Sequence, residues 1–226
     1  MNYRESIEEI KIPKYTRGQE IFNTVSHILG IPLAFIILFV GLYRLIIREI
    51  DITAFLGLLV FVITIIDVYF VSSLYHGTDA TTFNKKLFRV LDHCTIYLLI
   101  AGTYTPICVI LMSEHLVGLV MLLIEWGCAI IGIVLNAFFF KSKVVQIISL
   151  VLYLAMGWLV LFCGGFIYMS AISFGFVLAG GIVYSIGAVL YAVGKKKNLY
   201  LHSVFHVFVL ISTIIQAIGV LAMYFQ

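Results

Sequence analysis

The chain has 226 residues, of which 63% are apolar and only 11% charged, and its formal net charge is +3. A soluble domain carries roughly a quarter charged residues, so too little polar surface is present to cover a globule in water. The mean hydropathy of +1.15 makes hydrocarbon the solvent for most of the surface, and the small positive charge gives no basis for binding nucleic acid.

In chain order, residues 1–23 form a polar segment ahead of a membrane domain over 24–226. The segment mixes Glu5, Glu8, Glu9 and Glu20 with basic residues. It has no basic stretch followed by a short apolar core, so a cleaved signal peptide is not expected. Ile7, Ile10 and Ile12 alternate with charges before Pro13, and Tyr15–Asn23 reads as a short surface helix. The segment is expected to be a solvated tail with an interfacial turn, with a gate over the membrane domain as the alternative.

Seven apolar segments follow, near Thr24–Ile47, Thr53–His76, Phe88–Met112, Leu116–Phe140, Val144–Phe162, Ser170–Gly194 and Leu201–Phe225. Each is roughly 20 residues or more, enough to cross a hydrocarbon core of about 30 Å as a helix. The expected fold is all-α: a seven-transmembrane helix bundle in the cell membrane. Only tight turns separate segments at Ser113–His115 and at Gly164–Gly165. Pro32 and Pro106 fall inside the first and third segments and are expected to bend them.

The basic residues give an orientation. With the N-terminus in the cytoplasm, every Lys and Arg except Arg44 and Arg48 falls on the cytoplasmic side, including Lys85, Lys86, Arg89, Lys141, Lys143 and Lys195–Lys197. Cytoplasmic loops carry the excess of Lys and Arg. This predicts a cytoplasmic N-terminus and an outside C-terminus.

The same topology assembles a constellation. His202 and His206 are spaced i, i+4 at the start of the seventh segment, which places both imidazoles on one helical face. His76 ends the second segment and Asp92 begins the third, so three histidines and a carboxylate reach one membrane level. Three protein ligands with an open fourth position suit a catalytic Zn2+. His76, His202 and His206 are the candidate ligands. Asp92 is either a fourth ligand or, as favoured here, the group that holds the zinc-bound water and acts as general base. Pairing with Arg89 or a loop lysine is its alternative. Ser72, one turn before His76, is the candidate polar neighbour of Asp92 and the water.

The remaining polar residues separate from this group. His93 points about 100° away from Asp92, His27 is assigned to the interface or to a neighbour's hydrogen bond, and His115 lies on the opposite side. Asp67 and Glu125 fall well inside their helices, where carboxylates are costly. Interhelical hydrogen bonding or the lining of a polar cavity is expected of them. Cys94, Cys108, Cys128 and Cys163 sit in or beside apolar segments without a CxxC pair, so no disulfide framework is expected.

Read together, Gly-Gln-Glu-Ile-Phe-Asn-Thr-Val-Ser-His (18–27), Ser-Ser-Leu-Tyr-His (72–76), Leu-Asp-His (91–93), Gly-Thr-Tyr-Thr-Pro (102–106) and His-Ser-Val-Phe-His (202–206) resemble the bacterial hemolysin III family of the progestin and adipoQ receptor (PAQR) superfamily. The resemblance covers nearly the whole chain. It implies seven helices and zinc on His76, His202 and His206, with Asp92 holding a water and Ser72 nearby. Alkaline ceramidases belong to the same wider group, which implies amide hydrolysis of a lipid; the open three-histidine site beside a carboxylate extends the expectation to a lipid amide or ester. A pore-forming cytolysin and a receptor-like lipid sensor with structural zinc are the alternatives. The seventh segment contains no lysine, which discounts a retinal-type receptor.

Overall fold

The computed structural model describes residues 2–197 and 199–225. The side chains of Lys195, Lys196 and Lys197, placed with the cytoplasmic lysines by sequence, lie outside the description. The described residues form helices α1 (Tyr3–Glu8), α2 (Arg17–Ile28), α3 (Ile31–Ile46), α4 (Ile52–Gly77), α5 (Phe83–Met112), α6 (Leu116–Phe139), α7 (Lys143–Gly157), α8 (Leu159–Phe162), α9 (Ala171–Lys197) and α10 (Tyr200–Tyr224), with a 3₁₀ turn at Gly165–Tyr168. Among the described residues six spans are long and apolar enough to cross a membrane: Arg17–Ile46, Ile52–Gly77, Phe83–Met112, Leu116–Phe139, Ala171–Gly194 and Tyr200–Tyr224. The protein is a multi-pass membrane bundle, close to the seven-span expectation.

Two of the expected spans are built differently from a single rod. The first begins at Arg17, where Thr16 and Gln19 form a reciprocal capping box, so the predicted surface helix and the first span are one unit. That unit breaks at Leu29–Gly30. A Cβ at Gly30 would sit 2.3 Å from the Tyr69 ring, so only glycine admits α4 this closely. Pro32 then occupies the first turn of α3, where its missing N–H costs nothing. It starts a helix rather than bending one. Pro106, by contrast, stays inside an unbroken α5.

The fifth apolar segment is divided at Trp158 into α7 and α8. The break frees backbone groups, which hydrocarbon cannot satisfy. Tyr104 of α5 supplies a partner: its hydroxyl donates to the Gly157 carbonyl at 2.8 Å, with the Val160 N–H 3.5 Å away on the other side. Trp158 Nε1 donates to Ser185 Oγ on α9 at 3.1 Å. Tyr104→Phe is expected to destabilise the protein by about 1–3 kcal/mol, the cost of an orphaned buried acceptor. A lower thermal unfolding midpoint in detergent, at unchanged helix content, checks this.

Helix α5 is the central element, packed between α4 and α6, while α10 packs against α9, α2 and α5. At Gly102 a Cβ would lie 1.9 Å from Thr64 Oγ1, which marks a close approach of α4 and α5. The inward face of α10 carries a stripe of polar groups at helical spacing: His202, His206, Thr213 and Gln216, all buried. Thr213 accepts from the Tyr69 hydroxyl at 2.8 Å and also contacts Tyr184. In lipid the polar face turns inward, the reverse of a soluble amphipathic helix.

The N-terminal segment is not a solvated tail. Ile7 and Ile10 are buried in an apolar cluster with Val90, Cys94 and Phe140. Lys86 donates to the Glu8 carbonyl, Arg89 to the Lys11 carbonyl, and Lys141 to the Glu9 carboxylate. Lys141 holds the Glu9 carboxyl below its usual range. Residues 2–15 therefore strap the end of the bundle that carries His76 and His202, as the gate alternative anticipates in part.

The two intramembrane carboxylates depart from expectation. Glu125 is fully buried, and neither carboxylate oxygen has a hydrogen-bond partner. It lies close to Tyr104, Cys108 and Cys163. Asp67 is half-buried with no hydrogen bond or ion pair among the described residues. Neither lines a cavity described below. The expected interhelical hydrogen bonds are absent among the described residues, and nothing in the structure explains why carboxylates occupy these positions. The four cysteines are free thiols, as expected.

Candidate metal centre and membrane cavity

The three predicted histidines come together. His76 ends α4, and His202 and His206 occupy the first two turns of α10. All three are buried. His202 Nε2 lies 3.2 Å from His76 Nε2 and 2.9 Å from His206 Nε2. One nitrogen from each ring falls within 4.8 Å of the others. Nitrogens at about 2.0–2.1 Å from one tetrahedral zinc would be spaced roughly 3.3 Å apart, close to the separations found. The donor set therefore fits a metal ion, and the cluster could hold one.

His76 is oriented from behind by residues that sequence reading did not single out, whereas the Nδ1 atoms of His202 and His206 have no hydrogen-bond partner among the described residues. His76 Nδ1 donates to Glu20 Oε2 at 2.6 Å, which turns its Nε2 toward the other two rings. Glu20 Oε1 accepts from Lys85 Nζ, also at 2.6 Å. Lys85, expected in a loop, is instead fully buried in the first turn of α5, where it also donates to the His76 carbonyl at 3.3 Å. A carboxylate behind a ligating histidine fixes the ring's tautomer and direction. The available signal was the spacing of Glu20, Asn23 and His27, at i, i+3 and i+7 on one face of α2. That signal needed the helix start at Thr16 to be recognised first.

His27 is not interfacial. It is buried, its ring centroid lies 3.9 Å from that of His206, and neither ring nitrogen has a partner. Its nitrogens do not join the set of three. Tyr15 of the strap stacks on His202, with ring centroids 5.2 Å apart. Burial pushes the Tyr15 phenol upward, so it stays a neutral hydrogen-bond donor. His93 is held apart from the cluster by Arg89 O at 2.9 Å and the Tyr191 hydroxyl at 3.3 Å.

Asp92 and Ser72 border a cavity of about 620 Å³ whose walls also include His202 and His206. The cavity runs between α5, α7, α9 and α10, and its surface is mostly apolar. Helices α7 and α9 touch only sparingly. The exposed residues Ile147 and Ala192 line the cavity in this gap, so its mouth faces the surroundings of the bundle. Asp92 is buried, with His93 Nδ1 4.0 Å from its carboxylate and His76, Ser72 and Arg89 as its other polar neighbours. It makes no ion pair with Arg89 or a loop lysine among the described residues. Its carboxylate stays outside the set of converging donor atoms. Ser72 Oγ is buried and faces the Asp92 carboxylate. His115, as expected, is remote and stacks on Tyr168.

A family model described as "Haemolysin-III related" matches residues 15–217. The chain belongs to the haemolysin III family. It is 36% identical over 204 residues to the "Hemolysin-3 homolog" of Bacillus subtilis (strain 168), covering 87% of this chain and 90% of that one. It is 36% identical over 198 residues to the "Hemolysin-3" of Bacillus cereus, covering 85% of each. No solved structure matches the chain. The haemolysin III match spans every residue of the histidine cluster, together with Glu20, Ser72, Lys85 and Asp92.

Proposed function

We propose that the protein is a zinc-dependent hydrolase of membrane lipids, cutting an amide or ester bond and so adjusting membrane lipid composition. His76, His202 and His206 hold the zinc at the end of the bundle that the basic residues assign to the cytoplasm. One observation carries this reading: three histidine nitrogens converge, and two of those histidines, His202 and His206, line an apolar cavity that also displays Asp92 and Ser72. When bound, zinc supplies Lewis acidity that polarises a carbonyl and makes water a nucleophile near neutral pH. The residues around it do the rest. Asp92 takes the proton from the attacking water and returns it to the departing nitrogen or oxygen. Ser72, beside Asp92, orients that carboxylate or the carbonyl oxygen. The apolar walls hold an acyl chain and exclude bulk water from the reacting groups.

The test is to incubate a mixed lipid extract with purified protein and follow it by mass spectrometry. Wild type should consume an amide- or ester-linked lipid and release a fatty acid. Asp92→Ala should be slower by about 100-fold or more, the usual weight of a general base. A wild type that leaves every lipid unchanged sinks the reading and favours a lipid sensor using the same cavity. The name of the Bacillus cereus relative raises a pore as a second reading. A pore needs a continuous polar lining, whereas the cavity walls are mostly apolar and neither Asp67 nor Glu125 borders them.

A further inference from the structure

A second pocket of about 320 Å³ lies on the strap side of the histidine cluster, and its walls, though mostly apolar like those of the first, carry two cations. Lys14, Tyr15, Tyr75 and Arg89 line it, and among the described residues no carboxylate does. Lys14 makes no hydrogen bond or ion pair among the described residues. Arg89 offers five N–H donors. One contacts the Lys11 carbonyl, and the guanidinium lies over the Phe140 ring with its carbon 5.4 Å from the centroid. That holds the group in place with donors to spare. The two pockets share His93, Tyr191 and His202 as walls. The apolar cavity and the pocket that carries Lys14 and Arg89 thus meet at His202.

We propose that the second pocket binds the anionic head of a lipid whose single acyl chain occupies the apolar cavity. A carboxylate or phosphate would accept charge-assisted hydrogen bonds from Arg89 and meet the Lys14 ammonium. A chain in one cavity and a head in the other set the connecting amide or ester beside His202. This names the substrate class: an acyl chain joined to a small anionic head, as in an N-acyl amino acid. The bond assignment rests on the hydrolase reading, whereas head-group binding does not.

The experiment measures equilibrium binding to the full-length protein in nanodiscs of neutral lipid. The probes are N-palmitoylglycine, the neutral N-palmitoylethanolamine and inorganic phosphate. Wild type should bind the anionic amphiphile at least tenfold more tightly than the neutral one. Arg89→Gln should abolish that preference, Lys14→Gln should reduce it, and Arg89→Lys should restore part of it, all without changing N-palmitoylethanolamine affinity. Equal affinity for both amphiphiles in wild type overturns the proposal. So does an Arg89→Gln variant that loses both equally, which marks a structural role in anchoring the strap. Phosphate binding as tight as N-palmitoylglycine also overturns it, because the chain then contributes nothing. The expected binding pattern in a protein that cleaves neither lipid supports the pocket and sinks only the hydrolase reading.

Discussion

Wild-type protein purified with zinc available should retain about one ion per chain, and His206→Ala should retain almost none. Losing even an outer-sphere partner of a metal ligand costs roughly 10–100-fold in affinity, so losing one of three ligands should cost at least that. Metal content after dialysis against a weak chelator reads this directly. A thermal scan separates a metal site from a merely hydrogen-bonded histidine cluster. An ion present at about a thousand times its dissociation constant adds about 4 kcal/mol to the folded state, so a strong chelator should lower the wild-type unfolding temperature. The same chelator should leave His206→Ala unmoved. His27→Ala is the control: its ring packs on His206 but its nitrogens stand outside the converging set, so metal content should persist. If the chelator shifts nothing in wild type, the cluster is not a metal site.

How far the sequence showed this depends on which interactions are local. His202 and His206 were legible because i, i+4 spacing is a property of one helix. His76 and Asp92 joined them through a second signal of different origin, the asymmetry of Lys and Arg between alternate loops, which set the ends of neighbouring helices at one level. The breaks were not legible. The one at Gly30 depends on the Tyr69 ring of another helix, and the one at Trp158 is tolerated because Tyr104 arrives from α5 to meet the freed backbone. Apolarity alone reads both as continuous spans. Lys85 misled for a related reason. In sequence it stands beside Lys86 ahead of the third segment, which made both look like loop charges, whereas only the fold shows that Lys85 turns inward to Glu20. Both cavities arise from gaps between helices distant in sequence, and no periodicity encodes them.

Glu20 provides the most discriminating substitution outside the histidines, because two separate penalties meet there. Its carboxylate is the charged partner of Lys85, whose side chain is 1% exposed, and it is also the acceptor that turns His76. Glu20→Ala strands a buried ammonium, and breaking such a pair from one side costs about 3–5 kcal/mol. It also frees the His76 ring, with roughly 10–100-fold loss of metal affinity expected. The two effects separate with a second substitution. In Glu20→Gln combined with Lys85→Met, the amide oxygen can still accept from His76 Nδ1 and no charge is left unpaired, so most stability should return. Metal affinity should recover only partly, because a neutral amide is a weaker acceptor than a carboxylate. Titration with cobalt as a spectroscopic probe, alongside thermal unfolding without metal, reads the two quantities independently. If stability and metal affinity fall and recover strictly together across the single and double variants, Glu20 acts only as a structural ion-pair partner and not as the residue that aims His76.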